Sequence, residues 1–209
     1  TLFPYTTLFR SIAIKSQLRI LADRDGKLLR CDLTIENDEL IVTVDDQIFE
    51  YQYKDSESQR MQETLFHEKE TIIENCLFGV DINPKSVMIC RLRLWSELLQ
   101  NAYYRRNNDQ LKLANIDINI KCGNSLIGPD FHQGRQTEFD VEEAYRVNAF
   151  DWDAEFPAIV KSGGFDAAIG NPPYVRIQTL KEWTPDEVEY YKQRYRSAAP
   201  FGLKSITSP

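Results

Sequence analysis

Apolar and polar positions along the chain change their period several times, and each change marks an element. Between Lys27 and Lys54 the period is two. L-L-R-C-D-L-T-I runs to Ile35, E-L-I-V-T-V ends at Asp45-Asp46, and Q-I-F-E-Y-Q-Y follows. Glu36-Asn37-Asp38 and Asp45-Asp46 supply turn chemistry, so the stretch predicts a β-meander. The period then lengthens. Gln59 to Asn75 reads as a helix leading into C-L-F-G-V-D-I, a short apolar run suited to a buried parallel strand. In Asn83-Pro84 the Asn is a good N-cap and the Pro a favoured first helical residue. The helix that follows carries Val87, Cys90, Leu94 and Leu98, with Trp95 alongside, at helical spacing. In I-D-I-N-I-K-C the residues Ile116, Ile118 and Ile120 alternate ahead of Gly123-Asn124-Ser125-Leu126. Residues 127–161 read as polar and irregular. Phe165 to Gly170 predicts a further short strand running into Asn171-Pro172-Pro173-Tyr174. Thr184-Pro185-Asp186-Glu187 has the form of a capping box, opening a helix that reaches about Tyr195.

Strand, helix, strand, loop, strand is a parallel α/β pattern. In open α/β sheets ligands sit beyond the carboxyl ends of the strands. Asp81, Asn124 and Asn171 all fall at or just beyond the ends of expected strands. Three polar residues in equivalent places are the first indication of a site.

Composition narrows the function classes. With 209 residues, 42% hydrophobic and 27% charged, the chain is long enough for one sizeable core and is not built for wholesale disorder. No run approaches the ~18 apolar residues of a membrane helix, and the N-terminal stretch lacks the parts of a secretory signal. A net charge of −7 disfavours a free-standing non-specific DNA coat and leaves open an enzyme that grips nucleic acid locally. Cys31, Cys76, Cys90 and Cys122 are scattered, no C-x-x-C occurs, and His67 and His132 are the two histidines. No metal site is expected, and a reduced, cytoplasmic protein is. Thr1 to Ser11 reads T-L-F-P-Y-T-T-L-F-R-S and connects to nothing that follows, so it is set apart as a non-native or disordered tail.

The loop Asn171-Pro172-Pro173-Tyr174 has chemistry of its own. Asn171 offers a side-chain carbonyl acceptor. Pro172 has a backbone carbonyl and a locked φ, and Pro173 restricts Pro172 toward extended geometry. Two fixed acceptors beside an aromatic ring suit a planar group bearing –NH2: the acceptors take its two hydrogens while Tyr174 stacks on the ring face. Accepting both hydrogens favours a pyramidal nitrogen and frees its lone pair for attack on an electrophile. The plain alternative is a Pro-rich turn with a half-buried Tyr.

F-D-A-A-I-G-N-P-P-Y-V-R resembles the catalytic motif of amino-group methyltransferases that use S-adenosylmethionine. L-F-G-V-D-I-N-P-K-S-V with R-L-R-L-W-S-E-L-L, and I-D-I-N-I-K-C-G-N-S-L-I-G, are similar to the second and third cofactor motifs of one group of them. That group is the adenine-specific DNA methyltransferase domain of type II restriction–modification enzymes, of the single-chain kind that fuses modification to cleavage. The resemblance covers residues from about 59 to about 198. It implies a Rossmann-like S-adenosylmethionine-dependent fold, a parallel sheet with flanking helices, here incomplete and with the meander inserted. The implied organisation is a tail over 1–11, the meander region over 12–58, a partial catalytic domain over 59–198 and a second non-native or disordered tail over 199–209.

The resemblance also implies roles. Asp81 binds the cofactor's ribose hydroxyls; the alternative is a carboxylate favoured merely by a helix N-terminus. Ile82 packs on the cofactor's adenine, or is plain core. Asn124 stands where many relatives carry an Asp that contacts the adenine amino group, and Asn keeps the acceptor oxygen but not the charge; the alternative is a turn residue. Asn171 and Pro172 hold the target amine, Pro173 stiffens the loop, and Tyr174 stacks on the extruded base. Arg176 is either a phosphate contact or a solvated surface residue. The implied partners are S-adenosylmethionine, duplex DNA with a flipped target adenine, and a fused or partner restriction endonuclease, with no membrane. A methyltransferase for a protein glutamine amide or an RNA guanine, or a catalytically inactive DNA-binding or specificity fragment, remain alternative readings. None of the nine glycines forms the family's G-x-G loop, which in relatives precedes the second motif. The chain therefore reads as an internal fragment, inactive by itself.

Overall fold

The computed structural model describes residues 3–37, 39–104, 119–132, 141–170 and 177–195. Two compact units divide the chain: Thr1–Gly79 with Pro84–Lys121, and Val80–Asn83 with Cys122–Pro209.

The first unit opens with helix α1, Phe3–Gln17. Residues 3–11, which the sequence set apart as a tail, are thus helical, and Phe9 and Ile12 are both 0% exposed. The physical reason is spacing: Phe9, Ile12, Ala13 and Ser16 recur at three- and four-residue steps and are all buried. The Ser16 hydroxyl donates to the Cys31 carbonyl at 2.9 Å, tying α1 to the segment that enters the meander. Burial pushes the Cys31 thiol up to about 11, so it stays protonated as a small core residue.

The meander is a three-stranded antiparallel sheet of β1 Asp32–Glu36, β2 Glu39–Val44 and β3 Gln47–Ile48, in that order. Its register runs from Asp32↔Thr43 to Glu36↔Glu39, which places Leu33 opposite Val42 in the core. Asp45 and Asp46 have φ of 51° and 61° and link the pair Val44↔Gln47. Left-handed backbone at both central residues is the signature of a tight type I′ hairpin, and short polar Asp tolerates it.

Helix α2, Ser56–Asn75, begins at Asp55, whose carboxylate accepts the Ser58 N–H at 2.6 Å. It buries Met61, Leu65, Phe66, Ile72 and Ile73 and packs on α1 and on α3, Pro84–Gln100. In α3 the expected stripe is realised, Trp95 apart. Val87, Leu94 and Leu98 are buried, Cys90 packs on the core, and Trp95 is partly exposed. Asn119 closes the far end of α2: its amide donates to the carbonyls of Ile73 at 2.8 Å and Glu74 at 2.7 Å, both otherwise without helical partners.

Strands β4 Gly79–Asp81 and β5 Ile120–Cys122 form a two-stranded parallel sheet. Phe165 to Gly170, expected as a further strand, forms none: the segment is irregular and Ile169 is 75% exposed. An apolar run becomes a buried strand only where neighbours pair its N–H and C=O groups and cover its faces. No described strand lies beside this one.

The second unit is otherwise helical. Residues 127–161 are less irregular than expected, holding a 3-10 turn at Pro129–His132, α4 Val141–Val147, α5 Trp152–Glu155 and α6 Pro157–Lys161. Asp151 caps α5 by accepting the Ala154 N–H at 3.0 Å, and Pro157 starts α6. Helices α7, Ile177–Trp183, and α8, Pro185–Arg194, follow and pack together. The expected capping box of α8 does not form. The Thr184 hydroxyl donates back to the Leu180 carbonyl at 3.2 Å, and Glu187 pairs with Arg146 at 3.2 Å. Ile127, Phe131 and Val147 make this unit's small core, with Ala149, Tyr190 and Tyr191 against it. No helix among the described residues is long and apolar enough to cross a membrane.

Candidate functional site

The ends of β4 and β5 bring two of the expected site residues together. The Gly123 N–H donates to the Asp81 carbonyl at 3.0 Å, so Asn124 sits one residue beyond the group that pairs with Asp81. Asp81 is exposed, and one carboxylate oxygen accepts the Asn83 N–H at 2.7 Å. Among the described residues no donor pairs with the other oxygen, which keeps its acceptor capacity. Ile82 is 51% exposed, which contradicts the plain-core reading, and its carbonyl faces the Cys122 thiol at 3.7 Å.

Asn124 is held from both sides. Its N–H donates to the Asn148 carbonyl at 2.7 Å, and it forms a parallel bridge with Ala149. Its side-chain oxygen accepts the Leu126 N–H at 3.1 Å, and its backbone carbonyl accepts the Ile127 N–H at 3.2 Å. The turn reading of Asn124 is therefore realised, with the turn taking one lone pair of the side-chain oxygen, and the carboxamide also hydrogen-bonds the Tyr191 hydroxyl. Asn171, Pro172, Pro173, Tyr174 and Arg176 lie outside the described residues.

Sequence reasoning missed the aromatic support around this turn. Phe150 donates its N–H to the Ile127 carbonyl at 2.8 Å, and its ring lies against Gly123. Phe150 continues into an aromatic cluster of edge-on and tilted rings with Trp152, Phe156 and Phe165. A Cβ added at Gly123 would stand 2.5 Å from Cδ2 of Phe150. Gly123→Ala is therefore expected to cost ~1–3 kcal/mol, as overpacking does. Thermal unfolding of the variant checks this, and an unchanged midpoint would refute the close approach. The Gly-Asn pair was visible in the sequence; that glycine is needed for a ring 27 residues later was not.

Comparison with known proteins adds family to geometry. The model of the Eco57I restriction-modification methylase family matches residues 75–203, which include Asp81, Ile82, Asn124 and the Asn171–Tyr174 loop. RM.Eco57I of Escherichia coli, a type II restriction enzyme and methyltransferase, is 29% identical over 168 residues, covering 80% of this chain and 14% of that protein. RM.MjaORFECS2P of Methanocaldococcus jannaschii is 30% identical over 115 residues, 54% of this chain and 10% of its own length. The adenine-specific methyltransferase PglX of Streptomyces coelicolor is 28% identical over 117 residues, again 54% of this chain and 10% of the relative. The chain thus spans a seventh or less of the curated relatives it matches. No solved structure matches it. With more than half of its length covered by the family model, this chain belongs to the Eco57I restriction-modification methylase family.

Proposed function

We propose that the protein carrying this chain is a DNA methyltransferase that transfers a methyl group from S-adenosylmethionine to the exocyclic amino group of adenine in duplex DNA. The observation that carries the reading is the pairing of Gly123 with Asp81 at the ends of two parallel strands, inside the span matched by the family. The names of the relatives support DNA modification alongside restriction, and that of PglX supports adenine.

The donor set suits the cofactor. A ribose diol presents two O–H donors, and Asp81 keeps a carboxylate oxygen beyond its own turn. Ile82 offers an exposed apolar face for a purine ring. Asn124 offers its side-chain oxygen, one lone pair of which the turn takes, to an adenine amino group. The cofactor supplies a methyl group already activated on a sulfonium. The chain's own residues do the rest by positioning. Asn171 through its side-chain carbonyl and Pro172 through its backbone carbonyl accept the two hydrogens of the target amine. Tyr174 stacks on the extruded base, and Pro173 stiffens the loop. A target inside the helix is out of reach, so the base leaves the stack at a cost of a few kcal/mol. A restriction nuclease in the same polypeptide or in a partner belongs to this reading.

Asp81→Asn in the full-length protein tests the cofactor half. Losing a charge-assisted hydrogen bond, about 1.5–3 kcal/mol, is expected to weaken S-adenosylmethionine binding about 10- to 150-fold by calorimetry. Unchanged affinity would remove Asp81 from the site. Labelled-methyl transfer to duplex DNA, against RNA and protein acceptors, tests the substrate half.

A further inference from the structure

The turn that presents Asn124 consists of two peptide groups, and each is held at both ends. In the Ser125–Leu126 peptide the N–H donates to the Asn124 side-chain oxygen at 3.1 Å, while the Ser125 carbonyl accepts the Trp152 indole N–H at 3.2 Å. In the Leu126–Ile127 peptide the N–H donates to the Asn124 backbone carbonyl at 3.2 Å, while the Leu126 carbonyl accepts the Tyr195 hydroxyl at 2.9 Å. Each acceptor of Asn124 thus receives an N–H whose peptide plane is anchored by a distant aromatic side chain. Next along the turn, the Gly128 N–H donates to the Tyr190 hydroxyl at 3.1 Å, and that hydroxyl donates to Asp130 at 2.8 Å. Burial pushes the Tyr195 phenol up from its ordinary range, so it stays an O–H donor well above neutral pH. A planar peptide fixed through its carbonyl cannot rotate its N–H away from Asn124 without breaking the anchor. The Trp152 anchor therefore fixes the N–H that occupies one lone pair of the Asn124 side-chain oxygen, the Tyr195 anchor fixes the N–H that holds the Asn124 backbone carbonyl, and the Tyr191 hydroxyl on α8 is hydrogen-bonded to the Asn124 side chain directly.

We propose that Tyr195 and Trp152 are positioning residues that fix Asn124, Tyr195 through its backbone carbonyl and Trp152 through its side-chain oxygen, and that both act on cofactor affinity through Asn124. The inference rests on the assignment of Asn124 to the cofactor's adenine amino group, and the test separates the two.

The experiment is calorimetry on the full-length protein with two probes: S-adenosylhomocysteine and its purine-riboside analogue lacking the 6-amino group. The variants are Asn124→Ala, Tyr195→Phe and the double substitution. Tyr195→Phe deletes one hydroxyl and keeps the ring. It is expected to weaken S-adenosylhomocysteine about two- to tenfold, the range of a single neutral hydrogen bond. Binding of the deamino analogue should stay unchanged, and the double variant should bind no worse than Asn124→Ala alone. If Tyr195→Phe weakens both probes equally, or adds fully to Asn124→Ala, the tyrosine is merely structural and the proposal is overturned. If Asn124→Ala weakens S-adenosylhomocysteine and Tyr195→Phe does not, the positioning role alone falls. If Asn124→Ala changes nothing, the adenine assignment falls and the proposal with it. Should Tyr195→Phe not fold, Trp152→Phe removes the other anchor and is read by the same comparisons.

Discussion

Asn171→Ala in the full-length protein is expected to lower methyl transfer to adenine by ~100-fold or more, the usual result of deleting a preorganised polar group at a reacting centre. S-adenosylmethionine affinity should be nearly unaffected. The separation follows from the division of labour proposed above. The Asn171 side-chain carbonyl is one of two acceptors for the target amine, whereas the ribose is assigned to Asp81. An interaction that strengthens as the nitrogen pyramidalises stabilises the transition state more than the ground state, so its loss appears in turnover. Tyr174→Ala should act differently, weakening capture of the flipped base by ~1–3 kcal/mol, the worth of a base–aromatic stack. Tyr174→Phe keeps the ring and should be mild. Transfer of labelled methyl to duplex DNA, with cofactor affinity measured in parallel, distinguishes these patterns. Near-parental turnover in Asn171→Ala would reduce Asn-Pro-Pro-Tyr to a turn.

Elements whose signals are local were legible in the sequence. The meander follows from a two-residue period broken by Asp45-Asp46, and α3 from a helical stripe opened by Pro84; α2 was legible from Gln59 to Asn75, its start at Ser56 after the Asp55 cap was not. Elements whose existence depends on a partner were not. Among the described residues, helix α1 marks its buried side with Phe9, Ile12, Ala13 and Ser16, and nothing in those letters says what covers them. Phe165 to Gly170 has the letters of a strand, but a strand is a pairing and none forms among the described residues. Thr184-Pro185-Asp186-Glu187 has the letters of a capping box, yet the preceding Leu180 carbonyl competes for the threonine hydroxyl. The same divide runs through the candidate site. Asp81 and Asn124 were legible because strand ends are predictable places for polar residues. Trp152 and Tyr195 were not, because they bind backbone carbonyls 27 and 69 residues away, and a carbonyl has no sequence signature.

Glu97→Ala is expected to destabilise the chain by ~3–5 kcal/mol, the usual cost of stranding a buried charge. The charge is Lys69 on α2, which is 1% exposed. Its ammonium donates to the Glu97 carbonyl at 3.2 Å, to the Glu97 carboxylate at 3.3 Å and to the Gln100 side chain at 3.5 Å, and lies 5.4 Å from the centre of the Phe9 ring. Removing the carboxylate leaves the carbonyls and the ring, which orient the ammonium but do not neutralise it. Burial pulls the Lys69 pKa below its ordinary value and Glu97 pulls it back up. A folded-state value below the unfolded one means that the unfolded chain binds more protons between the two, so stability rises with pH across that window. Without Glu97 the folded value falls further and the window opens at lower pH. The deficit of Glu97→Ala, and the smaller deficit of Glu97→Gln, should therefore shrink as pH is raised from neutral toward the ordinary lysine range. Replacing both partners, Lys69→Met with Glu97→Leu, removes the buried charge altogether and should recover most of the loss. Urea unfolding of the parent and the three variants at neutral and alkaline pH is the measurement. A deficit for Glu97→Ala below about 1 kcal/mol, the scale of an exposed ion pair, or one that grows with pH, would show that Lys69 is not held as a buried cation.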